Sequence, residues 1–206
     1  MLSTCSKTKN GAVYTPKYIR DYILERVVSK QRKPLQSCLA IDIACGCGAF
    51  LFSLADYLHS HCALSYREAV QRLYGVDVSE LSVKRCKILL SLAALQNSET
   101  LTDEDFHIRQ GNSLEFNFAT MPGVTENGGF DIVIGNPPYV RAKNIDDESK
   151  ALLSRWQVAR CGNADLYLPF FEIACNILRE DGVIGYITLN SFFKSVNARL
   201  LRGFFR

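Results

Sequence analysis

Along this chain, compact apolar runs alternate with longer stretches in which apolar positions recur every three or four residues. CLAIDIA (38–44), LYGVDV (73–78), FHIRQ (106–110), FDIVI (130–134) and VIGYITL (183–189) read as strands. Between them the helical spacing predicts a helix over 16–30, carrying Ile19, Ile23, Leu24, Val27 and Val28. Another is predicted over 49–59, with Phe50, Leu51, Leu54 and Leu58 inward. A third starts at Ser65, which forms a capping box with Glu68. A long helix over 80–95 carries Leu81, Ile88, Leu89, Leu92 and Leu95 and is capped by Ser79. Further helices are expected over 147–158, over 164–179 (closed by Asp181-Gly182) and from Ser195 onward. At the first helix, Thr15 is placed to cap and Pro16 to occupy the first helical position.

Strands that alternate with helices, with little hairpin chemistry, predict an α/β fold: a mostly parallel sheet with helices on both faces. Ligands in such sheets bind at the carboxyl ends of the strands. Those ends carry Asp42, Gly46 and Gly48; Asp77; Asn112 and Ser113; and Asn136 to Tyr139. The unusual polar and glycine chemistry therefore gathers on one edge. Residues 1–12 read as a flexible lead-in and 13–206 as one domain.

Composition narrows little. The 206 residues are 48% hydrophobic and 22% charged, enough for one domain with a sizeable core. A net charge of +3 suits nucleic acid and an ordinary surface equally. The eight cysteines include no CxxC pair, which argues against a zinc site. Cys86 and Cys175 fall inside apolar patterns, where a reduced thiol packs as a small hydrophobe. With no apolar run of membrane length and no leader pattern, a reducing, cytoplasmic setting with no membrane partner is expected.

The candidate chemistry centres on Asn136-Pro137-Pro138-Tyr139, directly after a strand. Two prolines fix the backbone and withdraw two N–H donors. That leaves carbonyls and the Asn136 amide to grip a planar amino group, with the Tyr139 ring alongside. At the first strand end, Gly46 and Gly48 let the backbone approach a ligand closely. The third glycine of the dinucleotide fingerprint is missing, and Asp42 would repel a pyrophosphate but suit a cationic amine. Asp77 can accept from ribose hydroxyls, or it can serve as a helix cap. A cationic amine plus ribose without pyrophosphate describes S-adenosylmethionine.

With these motifs in this order, the chain resembles the adenine-specific DNA methyltransferases of type IIG restriction-modification and related phage-defence systems, a gamma class of amino-methyltransferases. The resemblance implies the Rossmann-like three-layer sandwich of S-adenosylmethionine-dependent methyltransferases. GAVYTP then places Tyr14, Thr15 and Pro16 over the cofactor. DIACGCGAFL supplies Asp42, Ala44, Gly46 and Gly48, with Cys47 where the family often has serine. YGVDVS supplies Asp77 and Val78, and GNSL supplies Asn112 and Ser113 beside the cofactor's adenine. The family commonly has aspartate at position 112, so asparagine implies weaker binding. IGNPPYVR is the catalytic motif, in which Asn136 is also placed against the cofactor. GNADLYLPFFEIACNILREDGVIGYITLNSFF builds the target-base pocket.

The implied mechanism has the Asn136 oxygen and the Pro137 carbonyl accept the protons of the adenine amino group, while Tyr139 stacks on an extruded base. In the family the sheet continues with an antiparallel pair, and a DNA-reading domain follows. The resemblance therefore implies an amino-terminal catalytic part, with the fifth strand as an exposed edge. A carboxyl-terminal recognition domain or partner subunit would complete it on double-stranded DNA. Protein glutamine methyltransferases share Asn-Pro-Pro-Tyr but usually carry a helical domain before the glycine turn and lack Tyr-Thr-Pro. RNA amino-methyltransferases, and a cofactor-binding fragment inactive on its own, are further alternatives. Arg141, Lys143, Arg155 and Arg160 face DNA or belong to a solvated mixed-charge loop.

Overall fold

The computed structural model describes residues 15–160 and 163–205. The predicted lead-in, 1–12, and Tyr14 lie outside the described residues. The regular elements are α1 (Lys17–Lys30), β1 (Ala40–Asp42), α2 (Ala49–Cys62), α3 (Tyr66–Val70), β2 (Leu73–Asp77), α4 (Glu80–Gln96), β3 (His107–Gln110), β4 (Phe130–Gly135), α5 (Asp147–Leu153), α6 (Leu168–Ile177), β5 (Leu178–Tyr186) and α7 (Arg199–Phe204). The five strands form one parallel sheet in the order β3-β2-β1-β4-β5. Because successive strands are added outward from β1 in one direction and from β4 in the other, the β1–β4 junction is the topological switch point. There the helices that follow diverge and leave a crevice.

The pleat divides the core in two. Ala40, Ile132 and Ile134 pack with Leu24 and Val27 of α1, Leu51 and Leu54 of α2 and Leu90 of α4. Ile41, Phe130 and Val133 pack on the other face with Phe170 and Ile173 of α6 and Leu201 of α7. This is the expected three-layer sandwich, with β5 on the outside of the sheet among the described residues. Among those residues no helix is long and apolar enough to cross a membrane.

Several boundaries differ from the sequence reading, each for a traceable reason. β1 is shorter than 38–44 because Leu39 is engaged elsewhere: its N–H donates to the Asp131 carboxylate at 2.8 Å, and its carbonyl accepts from the Asp131 and Ile132 N–H groups. The helix expected to 179 ends at Ile177, and the strand starts at Leu178 rather than 183. Phe130 pairs with Leu178 while Ile132 pairs with Val183, so Asp181-Gly182 turns a bulge inside the strand instead of closing the helix. α5 stops at Leu153, and the Trp156 indole donates to the Leu114 carbonyl at 3.2 Å. The Val158 N–H donates to the buried Glu172 carboxylate at 3.0 Å. Both bonds pull the chain out of the helix expected to 158.

α4 has the expected extent, but the apolar residues that predicted it are not the ones it buries. Leu81, Ile88, Leu89, Leu92 and Leu95 are exposed, whereas Val83, Cys86, Leu90, Ala93 and Ala94 are buried. The buried stripe is the one with smaller side chains, and it lets α4 come close to the glycine turn. A Cβ on Gly48 would sit 2.2 Å from Cys86 Sγ. Gly48 has φ +81° as well, so position 48 admits only glycine on both grounds.

Candidate active site

Hydrogen bonds stitch the strand ends together in the order of the sheet. From β3 to β2, the Gly111 N–H donates to the Asp77 carbonyl at 2.9 Å. From the turn after β1, the Gly46 N–H donates to Asp77 Oδ2 at 2.8 Å, and Ser79 N–H donates to Oδ1 at 2.9 Å. Each carboxylate oxygen keeps lone-pair capacity for a ligand hydroxyl. Ser79 is the cap of α4, accepting from Ser82 N–H at 3.2 Å, which removes capping as the role of Asp77. Ser113 is buried and its hydroxyl donates to the Ile43 carbonyl at 2.5 Å. Asn112 Oδ1 accepts from the Leu114 N–H at 3.1 Å and so closes its own turn.

Asp42 ends β1 with its carboxyl buried, accepting from the Ala44 N–H at 3.0 Å. Burial pushes its pKa up to about 7; the Ala44 hydrogen bond lowers it and the charge of Asp77 raises it further. The carboxyl lies flat against the backbone of Gly135 across the switch point: a Cβ there would sit 2.5 Å from Asp42 Oδ1. Directly after Gly135, Asn136 is half-buried and Pro137 buried. Asn136 Nδ2 donates to Thr15 Oγ1 at 3.1 Å. Thr15 therefore does not cap α1. Pro16 holds the cap position with no side-chain cap bond, and the helix starts at Lys17. Tyr139 is half-buried, with its hydroxyl donating to the Ile187 carbonyl at 2.7 Å and its ring edge-on to Tyr167 at 6.1 Å. Burial raises its pKa to about 12, so the phenol stays a donor.

These contacts make a cradle. Gly46 has φ +52°, and a Cβ placed on it would meet nothing within 4 Å, so its backbone borders open space. Beside it stand the half-buried Asp77 carboxylate and Val78, which is 63% exposed. An apolar side chain next to a carboxylate suits a nucleoside, base on one and sugar hydroxyls on the other. Sequence reasoning missed Tyr186, which is paired in register with Gly135. Its hydroxyl is buried without a hydrogen-bond partner among the described residues, and burial with the Asp42 carboxyl nearby pushes its pKa up. A buried orphan hydroxyl at a crevice is a group that a ligand or water satisfies. The sequence places it in the middle of the predicted strand 183–189, and only the structure ends β5 there.

The switch point, the glycine turn and the acidic end of β2 define an α/β fold of the S-adenosylmethionine-dependent methyltransferase class. A class I member from Listeria monocytogenes superposes over 92% of this chain and 50% of its own with a TM-score of 0.64 at 19% identity. Residues 71–206 match the Eco57I restriction-modification methylase family, and the chain belongs to that family. It is 26% identical to the adenine-specific methyltransferase PglX of Streptomyces coelicolor, covering 99% of this chain and 21% of PglX. It superposes on the DrdV–DNA complex with a TM-score of 0.73 at 20% identity, over 96% of this chain and 22% of DrdV. The chain spans between 21% and 38% of the length of the curated relatives it matches.

Proposed function

We propose that this chain is the catalytic module of a DNA adenine-N6 methyltransferase of a restriction-modification or phage-defence system. The observation that carries the reading is the Asn136 amide, held at the end of β4 across the switch point from the Gly46–Asp77 cradle. S-adenosylmethionine, bound in that cradle, supplies a sulfonium-activated methyl group. Asp77, Val78, Asn112 and Asp42 would hold it there, Asp77 through hydrogen bonds to ribose hydroxyls and Asp42 by favouring a cationic amine. Asn136 Oδ1 and the Pro137 carbonyl would accept hydrogen bonds from the two N–H groups of the target amine, which sheds one proton to solvent after the methyl group is transferred. The amine's lone pair, otherwise delocalised into the ring, then localises on nitrogen. Tyr139, pinned at its hydroxyl, offers its ring to a base extruded from the duplex. A longer polypeptide or a partner subunit supplies the elements that read DNA sequence.

Support comes from the family membership and from PglX, an adenine-specific methyltransferase. The test is transfer of tritiated methyl from S-adenosylmethionine to unmethylated duplex DNA, followed by digestion to nucleosides. Label in N6-methyladenine is expected. Label in cytosine, or in a glutamine-containing release-factor peptide and not in DNA, would sink the reading.

A further inference from the structure

We infer that Arg141, Lys143, Arg155 and Arg160 form a clamp for the phosphate backbone of duplex DNA, beside the point where a base enters the crevice. The inference rests on the proposed function for the identity of that base. Cations serve a partner when they stand together and are not neutralised within their own chain. Both conditions are met. Arg141 and Lys143 flank Ala142, and Arg155 follows Ser154; Ala142, Ser154 and Arg160 line one cavity of about 200 Å³, with Lys150 at its wall. All four residues are exposed. None of their side chains makes a hydrogen bond or ion pair among the described residues.

The acids of the same stretch are committed elsewhere. Asp146 caps α5, accepting from the Ser149 N–H and hydroxyl, each at 2.8 Å. Asp147 and Glu148 stand in the first turn of α5, where the helix's own N–H groups favour negative charge, and Asp147 also pairs with Lys150 at 2.9 Å. Asp165 Oδ1 accepts from the Ala142 N–H at 3.1 Å. That bond does more than engage an acid. Together with the Leu166 N–H, which donates to the Val140 carbonyl at 2.9 Å, it fixes Arg141 two residues past Tyr139, whose ring lies edge-on to Tyr167. The cations therefore begin at the rim of the site that offers its ring to the base. Extruding a base unstacks it and swings the backbone on either side, at a cost of about a few kcal/mol. Cations on those phosphates offset the cost and fix the register of the duplex without reading its sequence. Three of the four are arginines, whose planar fork matches a phosphate with two hydrogen bonds.

The experiment follows binding of the full chain to a short fluorescent DNA duplex by anisotropy, at salt concentrations from about 50 to 200 mM. Each phosphate held by a cation contributes about 0.9 to the slope of log affinity against log salt. The variant that combines Arg141→Gln, Lys143→Gln, Arg155→Gln and Arg160→Gln is expected to show a slope smaller by about 2 to 4. It is expected to lose affinity equally for a second duplex of scrambled sequence, the mark of phosphate contact. The four single variants are each expected to lower the slope by about 1, and they carry the test where the combined variant fails to fold. Arg85→Gln on α4 and Arg109→Gln on β3, the edge strand farthest from β5, are expected to leave the slope unchanged. An unchanged slope in the combined and single variants, an equal fall in the two control variants, no binding by the unsubstituted chain, or tighter binding of an RNA duplex of the same sequence overturns the inference. Methyl transfer takes no part in this readout. A chain whose slope falls as expected but which labels no N6-methyladenine refutes the proposed function and leaves the phosphate clamp standing. A chain that labels N6-methyladenine with an unchanged slope in every variant refutes the clamp and leaves the proposed function standing.

Discussion

The carboxyl of Asp42 fills the space in which any side chain at position 135 would lie: a Cβ on Gly135 would come within 2.5 Å of its Oδ1. The two residues end neighbouring strands at the switch point, so one contact joins the side of the crevice that carries the glycine turn to the side that carries Asn136. Gly135→Ala is expected to push Asp42 aside and cost about 1–3 kcal/mol, the scale of overpacking in a filled interior. Thermal unfolding together with calorimetry against S-adenosylmethionine checks it. A variant with wild-type stability and affinity would mean that the carboxyl moves freely.

The same carboxyl gives stability a pH dependence of unusual sign. Its folded pKa, raised to about 7 by burial, exceeds its unfolded value. Between the ordinary aspartate range and about pH 7 the folded chain keeps a proton that the unfolded chain has released. Stability from this group therefore falls as pH rises through that window. Asp42→Asn is expected to flatten the fall and to raise the melting temperature above pH 7. A melting curve series from pH 5 to 8 on both proteins reads this directly.

Asp131, at the opposite end of the sheet, behaves the other way. It is fully buried between Lys33 Nζ at 3.1 Å and the Arg179 guanidinium, and it accepts from the Leu39 N–H at 2.8 Å and Asn127 Nδ2 at 3.0 Å. Burial works against its charge, but these donors and cations outweigh burial and hold its pKa below the usual range. Its contribution is complete above that range and is lost as pH falls through the folded pKa. Asp131→Ala leaves two cations facing an empty site and is expected to cost about 3–5 kcal/mol. Urea unfolding at neutral pH measures it, and a loss under about 1 kcal/mol would contradict a stabilising role for the buried carboxylate and its two cations.

On the proposed mechanism, Asn136→Ala removes one of two acceptors for the amine and leaves the cradle intact. Transfer is expected to slow by about 100- to 1000-fold, the usual result of deleting one preorganised hydrogen-bonding group from a transition-state site. Cofactor affinity should stay within a few-fold. Retention of the full rate would remove Asn136 from the chemistry.

The orientation of α4 is open to a simple stability comparison. Leu90 is fully buried, so Leu90→Ala is expected to cost about 2–5 kcal/mol. Leu92 is 52% exposed, and Leu92→Ala should stay within about 0.5 kcal/mol. Equal losses would mean that both faces of the helix are covered in solution.

Much of the fold is legible because it is periodic. The strand–helix alternation, the inward residues of α2 and the Ser65–Glu68 box depend on neighbours in sequence, and the structure reproduces them. The glycine turn, Asp77 and Asn136 are legible because strand ends in a parallel sheet fall on one edge. α4 was not legible, since it has two apolar stripes and periodicity cannot say which one the sheet takes. In the structure the stripe that carries Cys86 is the one that meets the glycine turn.

The sequence by itself determined which elements form, which chemistry each strand end carries and which family the motifs resemble. These follow from local spacing and residue type. Only the tertiary structure decided that Thr15 turns from helix cap to partner of Asn136, that Asp42 is sealed against Gly135 and that Tyr186 joins the crevice. Each of these depends on side chains brought together by strand order across the switch point. Their meeting is fixed by packing at a distance in sequence that no local pattern records.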